Sequence, residues 1–344
     1  MQLNQRIKER AVELGFDLVG IAPAGPSPDT SACRQWLESG NQAGMQWLER
    51  EPERRCDVRK LLPAARSVVV VGISYFTRNP TDEIWNDPLR GRIARFAWGH
   101  DYHDVITPRL RELAKFIDGE THTGGTRAYM DTGPVLERSI ARLAGIGAPG
   151  YSTNLIAPGF GSYIFLGEII TSAEIEPDEP AVLIKDDCAS CCECLSACPT
   201  SAIRKPYILD SRRCISYLTI ESKGSIPVEL RPLIGNWIFG CDDCQECCQH
   251  MNRLIPPQSH QFLEYSPQTS APLLVELMGM DESEFRKRFK GTPIIRAKRR
   301  GLLRNVAIAL GNSHDPSVLP ALKVAANDED RLIREHAEWA LENI

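Results

Sequence analysis

Apolar and polar positions fall into three regimes along the chain. From Asn4 to Leu14 apolar residues recur at helical spacing, and Gly15 breaks the run. "FDLVGIAPA" then reads as a strand. "RSVVVVGISYF", Arg66 to Phe76, is short, β-branched and bounded by Pro63 and by Arg78-Asn79-Pro80, which predicts a buried strand. "DYHDVITPRLRELAKFIDG" carries an apolar stripe of Val105, Leu110, Leu113, Ala114 and Ile117, so it reads as an amphipathic helix that Gly119 ends. "TRAYMDTG" is a strand running into a turn, and "GSYIFLGEIIT" is a further strand. This alternation predicts a layered α/β or α+β domain over residues 1–175. The acidic, proline-bearing "EIEPDEPAV" marks one boundary and "RLIPPQSHQF" a second, enclosing a cysteine-rich domain over residues 176–258. Residues 259–344 are helical in pattern. Leu302, Leu303, Val306, Leu310, Val318, Leu319 and Leu322 lead into "DRLIREHAEWAL", which fits a HEAT-type helix. About two such units make a small helical cap rather than a solenoid. The fold class is therefore α+β multidomain.

Composition narrows the function classes. A length of 344 residues suits about two to three domains. A 42% hydrophobic and 25% charged balance is that of an ordinary soluble protein. The longest apolar stretches, such as "SVVVVGI", are too short to span a bilayer, and the charged amphipathic start reads as no secretory signal. We expect a cytoplasmic protein without membrane association. The net charge of -5 gives no global sign of nucleic-acid binding, so any basic surface is local. One stretch qualifies. "RKRFKGTPIIRAKRRGLLR" carries Arg286, Lys287, Arg288, Lys290, Arg296, Lys298, Arg299, Arg300 and Arg304 without an intervening acid. Such density suits phosphate neutralisation; a solvated helix face is the alternative.

Cysteine placement changes the picture most. Of 12 cysteines, Cys33 and Cys56 stand alone and the rest crowd between Cys188 and Cys248. Cys188, Cys191, Cys194 and Cys198, followed by Pro199, give C-x2-C-x2-C-x3-C-P, the bacterial ferredoxin run. A zinc knuckle is the alternative, but zinc sites rarely use three such short steps in succession. In two-cluster ferredoxins the last cysteine of each half crosses to the other cluster. That logic assigns Cys188, Cys191, Cys194 and Cys248 to one [4Fe-4S] cluster and Cys198, Cys214, Cys241 and Cys244 to another. "GCDDCQECCQH" keeps two registers open, through Cys247 or Cys248, and Gln249 stands where a proline usually follows. Two clusters carry electrons, and some 180 residues ahead of them imply an enzyme rather than a plain carrier.

"AYMDTGPVLERSI" contains Asp131-Thr132-Gly133, the tripeptide of aspartic proteases. That chemistry needs two facing aspartates, and the chain has no second D-T-G. An aspartate before Gly133-Pro134 also suits an Asx turn. Opposite a redox centre, the same carboxyl would serve as a general acid.

The stretches "LLPAARSVVVVGISY", "ARFAWGHDYHDV", "MDTGPVLERSIA", "FGSYIFLGEI", the ferredoxin run, "RRCISYLTIE", "IPVELRPLIGNWIFGCDDCQ" and "RAKRRGLLRNVAIALGNS" together resemble the epoxyqueuosine reductase family, over nearly the whole chain and in the family's order. The resemblance implies a cobalamin in the first domain, close to one cluster. It implies reduction of the epoxide on the modified wobble base of tRNA, with electrons from an external low-potential donor. It assigns the proton donor to Asp131, and cobalamin contacts to Arg55, Tyr102, His103, Asp131, Arg138, Ser216, Asp242 and Asp243. It also implies a base-off cobalamin. His103 lacks the glycine three residues on that a corrinoid-ligating histidine requires, which leaves it to line the pocket or cap a helix. The basic run becomes a tRNA surface, and we expect a monomer. Two departures stand out. A lysine usual in the family is missing near Tyr151, and Cys248-Gln249-His250-Met251 replaces a C-P-W-N-like segment. A corrinoid reductase of another substrate, such as an organohalide, and a ferredoxin-type electron carrier are the competing readings.

Overall fold

The computed structural model describes residues 2–251, 254 and 266–344. Most of "RLIPPQSHQF" and the boundary at 258 lie outside the described residues. At the centre of the first domain is a four-stranded antiparallel sheet. Its spatial order is Leu18–Pro23, Ser67–Ser74, Ile164–Thr171, Arg127–Tyr129. Ser67–Ser74 is buried along its full length, as its β-branched run requires in a strand covered on both faces. One face carries helices Leu3–Glu13 and Tyr102–Thr121, with Ile7, Leu110, Leu113 and Ile117 packed on Val69, Val71 and Ile169. The other face carries Glu137–Leu143, with Ile140 and Ala141 on Val68, Val70 and Ile170. Gly20 has no room for a side chain, because a Cβ would lie 1.9 Å from the Ala144 carbonyl oxygen.

Helix Tyr102–Thr121 runs two residues past Gly119; His122, at φ 52°, takes the left-handed turn that ends it. At its start Asp101, not His103, is the cap, and its carboxylate accepts the His103 N–H at 3.1 Å.

Short elements follow: Lys185–Cys191, Glu193–Ala197, the hairpin Ile203–Lys205 with Ile208–Leu209, Ile215–Ile220 and Asp243–Glu246. The C-terminal helices include Glu282–Phe289, Lys298–Asn312, Leu319–Ala325 and Arg331–Glu342. Every residue of Lys298–Asn312 from Gly301 to Gly311 is buried, so this helix is a central post rather than an amphipathic surface element.

Packing crosses the sequence boundaries. Trp85, Ile93 and Trp98 join the core of Leu302, Val306 and Leu310, and Arg92–Ile93 pairs in parallel with Trp237–Phe239. Arg95 is the main polar clamp. It is 4% exposed, and its guanidinium donates to Tyr163 Oη at 2.7 Å, Glu246 Oε1 at 2.9 Å and Asp242 Oδ2 at 3.2 Å. Its backbone N–H also reaches Asp242 at 2.8 Å. A buried ion pair with its hydrogen bonds completed is tolerated; deleting one partner would strand the other.

Candidate active site

Asp131 follows the edge strand Arg127–Tyr129 and takes a left-handed backbone at φ 55°. Aspartate is among the few residues that enter this region readily, and such outliers concentrate at functional sites. Gly133 turns back under Tyr129, where a Cβ would sit 2.7 Å from the ring. The D-T-G sequence is thus explained by a tight return, not by a protease dyad. The Asp131 side chain is 56% exposed. Its Oδ2 accepts a hydrogen bond from Tyr102 Oη, and its backbone N–H donates to Glu137 Oε1 at 2.7 Å. Burial, reinforced by the Asp131 charge, pushes the Tyr102 hydroxyl well above the phenol range, so it stays a donor. Arg296 reaches Tyr102 Oη at 3.4 Å and Asp101 at 2.9 Å. Against the opposing push of burial, His103 and Arg296 hold Asp101 down at about 2. His103 Nδ1 lies 2.8 Å from Asp101, and its Nε2 lies 3.9 Å from Asp131 Oδ2.

Two cavities adjoin the cysteine block. One is bordered by Cys188, Cys191, Cys194 and Cys248, with Tyr151 and His250 on its wall. Cys247 is near Cys194 and Cys248 but does not border this cavity. The second, about 310 Å³, is bordered by Cys214, Cys241 and Cys244 on one side and by Tyr75, Phe96 and Arg138 on the other. Cys198 is a neighbour of Cys244. Cys192 also borders the first cavity, so the predicted thiols lie near one another in two regions, but among the described residues no three of them are close enough to form a ready-made metal site. An aromatic layer joins the second cavity to the acid: Tyr75 lies 4.3 Å from Phe165, and Phe165 stacks on Tyr102 at 4.3 Å.

The other predicted contacts divide. Ser216, Asp242 and Arg138 border the second cavity, and Arg138 also donates to Thr153 O at 2.9 Å. Burial raises the Asp242 carboxyl to about 6 although Arg95 opposes it. Tyr102 and His103 stand one aromatic layer away, beside Asp131. Asp243 instead accepts the Trp237 indole N–H at 3.1 Å, and Arg55 lies over the Trp47 ring at 5.3 Å; neither borders the cavity. Sequence reading missed Tyr75, Asn154 and Gln245, which do. Tyr151, in the segment lacking the family's lysine, packs on Tyr207 beside the first thiol group.

The basic run is corrected most. Its acids come from elsewhere in the chain: Glu282 pairs with Arg286, Asp328 with Arg299, Asp330 with Arg300, Asp101 with Arg296. Arg304 is fully buried and donates to the carbonyls of Leu218, Ser222 and Gly224, so it cannot contact nucleic acid. It instead ties the C-terminal post to helix Ile215–Ile220. Arg304→Ala should cost about 3 kcal/mol by leaving those carbonyls and the Asn305 side-chain oxygen without donors. Urea denaturation checks this, and an unchanged midpoint would count against the tie. Lys287, Lys290 and Lys298 are exposed, with no ion pair recorded among the described residues.

Residues 55–132 match the family "Epoxyqueuosine reductase QueG, DUF1730", and residues 187–251 match "4Fe-4S double cluster binding domain". Over 340 residues the chain is 40% identical to the epoxyqueuosine reductase of Xanthomonas campestris pv. campestris, covering 98% of this chain and 94% of that one. The chain belongs to the epoxyqueuosine reductases. The Escherichia coli K12 member is 38% identical over 342 residues, covering 99% of this chain and 89% of that one. A crystal structure of an epoxyqueuosine reductase with an epoxyqueuosine-modified tRNA-Tyr stem loop superposes with TM-score 0.90 at 32% identity, over 99% of this chain and 90% of that chain. The family assignment makes the chain an oxidoreductase with a mixed helix and strand fold and an iron–sulfur domain. Among the described residues no helix is long and apolar enough to cross a membrane.

Proposed function

We propose that this enzyme reduces epoxyqueuosine to queuosine in tRNA, with Asp131 as proton donor. The observation that carries the reading is the placement of one acid, oriented by Tyr102, across a single aromatic layer from a cavity bordered by cluster thiols. In this reading Cys188, Cys191, Cys194 and Cys248 hold one cluster and Cys198, Cys214, Cys241 and Cys244 the other. The two clusters supply single electrons from an external low-potential donor.

In this reading the second cavity would hold part of a cobalamin, by the chemistry of its lining. Phe96, Tyr75 and Leu166 offer apolar walls for a flat macrocycle, while Arg138, Ser216 and Gln245 offer partners for its amide rim. Bound there, cobalamin would supply an electron-rich metal for the reduction. His103, tied to Asp101 outside the cavity, is not among the residues that would hold the cofactor. The chain's own residues do the rest. Tyr102 orients the Asp131 carboxyl, Arg296, itself held by Asp101, reaches Tyr102 Oη directly, and Asp131 protonates the departing oxygen. The C-terminal HEAT-like helices present lysines to the tRNA backbone.

Anaerobic purification with iron and corrin spectra, followed by assay on epoxyqueuosine-bearing tRNA, tests the reading. Absence of corrin uptake would sink it, and corrin uptake without turnover of that tRNA would point to another substrate. Lys290→Ala and Lys298→Ala should each weaken stem-loop binding and lower the salt slope by about one. Titration at several salt concentrations measures this, and an unchanged slope removes the residue from the interface.

A further inference from the structure

We propose that Glu137 and Glu168 form a carboxyl pair behind Asp131 that positions it and supplies the second proton of the reaction. This rests on the functional reading above. Glu137 accepts the Asp131 N–H at 2.7 Å and so holds the acid in its left-handed backbone. Glu168 lies on the central strand Ile164–Thr171, in register with Val70 on one side and Tyr129 on the other. Leu166 and Ile170 flank it within the layer under helix Glu137–Leu143. Its side chain is fully buried, and neither carboxyl oxygen has a hydrogen-bond partner among the described residues.

A buried acid with no cation or donor is best accommodated with its proton on. Burial first, then the charges of Glu137 and Asp131, holds Glu168 well above the usual carboxylate range. Burial and the Asp131 charge lift Glu137 to about 7, against the Asp131 N–H, Arg138 and Arg55. Those are the charged groups facing the pair. Arg55 does not lock Glu137 as an ion pair: no such bridge is recorded among the described residues, and the Arg55 Nε is itself buried without a partner.

The stoichiometry gives this pair a task. Converting the epoxide to a double bond breaks two C–O bonds and releases the oxygen as water. Two electrons enter from the low-potential donor through the iron–sulfur domain, and two protons go to the oxygen. Asp131 carries one. Its exposed face is where the base must sit, so a seated base covers the route from solvent. The second proton then comes from the protein side: Glu137 turns from the Asp131 N–H to protonate the Asp131 carboxylate, and Glu168, which bonds neither acid in this arrangement, reloads Glu137 after a change of side-chain rotamer. Solvent reloads the pair after release. The store is full while Glu137 is protonated, so the rate falls as pH rises through about 7.

Single-turnover rates on the modified stem loop, on both sides of neutrality, test the assignment. Glu168→Gln should be slower by about tenfold, a smaller loss than removing the acid itself. Its stem-loop affinity and iron content should be unchanged. Glu137→Gln should be slowed and should lose the falling limb of the profile. Wild-type rate and profile in both variants would overturn the pair alone. A wild-type chain with full cofactors that leaves the tRNA unreduced would overturn the functional reading and the pair with it. If Glu168→Gln does not fold, the infrared spectrum of the wild type decides. A protonated-carboxyl band persisting above neutral pH supports the store, and its absence overturns it.

Discussion

Asp131→Asn should slow turnover by about 10²–10⁴-fold while cofactor content and tRNA binding stay as in the wild type. The substitution is nearly isosteric. Asparagine tolerates the left-handed backbone that Asp131 occupies at φ 55°, so the turn before Gly133-Pro134 survives. Its side-chain oxygen still accepts from Tyr102, and its N–H still reaches Glu137. Only the transferable proton is lost, which corresponds to about 3–5 kcal/mol on the barrier. Three measurements separate this from a structural defect: single-turnover rate, stem-loop affinity and iron content. A rate within about threefold of wild type, set against the 10²-fold floor for general acid catalysis, would remove Asp131 from the acid role. Tyr102→Phe gives an intermediate result, because it unmoors the carboxyl without removing its proton.

What the sequence made legible was local. Ser67–Ser74 and Ile164–Thr171 announce themselves by unbroken or alternating apolar residues, and the ferredoxin run by spacing within 11 residues. Sheet order was not legible. The edge strand Arg127–Tyr129 precedes in sequence the central strand it pairs with, and no local pattern encodes that partner. The pairing of the basic run was hidden for the same reason. Its lack of acids is a property of the line, whereas Asp101, Asp328 and Asp330 arrive through folding. Arg304 faces inward because its helix is enclosed on every side, although its neighbours Leu302, Leu303 and Val306 were read as core. Glu168 did leave a signal. It is the one acid in "GSYIFLGEIIT", at a position that alternates with Leu166 and Ile170. A charge on the inward face of a strand is costly unless it has a use.

The register at the last cysteines carries the second large effect. Cys248→Ser should lose about half the iron, one cluster of two, and with it turnover, whereas Cys247→Ser should keep both. The geometry separates these adjacent residues. The Cys247 N–H continues the helix by reaching Asp243 O at 3.3 Å, while the Cys248 N–H bonds Gln245 O at 3.1 Å. Cys248 borders the cavity with Cys188, Cys191 and Cys194, whereas Cys247, although near Cys194, does not border it. Burial is no guide, since both thiols are half-exposed. Paired alanine variants guard against serine acting as a weak substitute ligand. Iron counting with electron paramagnetic resonance of the reduced protein reads the result directly. If Cys247→Ala loses the cluster and Cys248→Ala keeps it, the crossing ligand lies one residue earlier and the turn at Gln249-His250 must reorganise when the cluster forms. If neither loses iron, the two thiols substitute for one another, and the doubled cysteine is a redundancy in the place where the usual proline is missing.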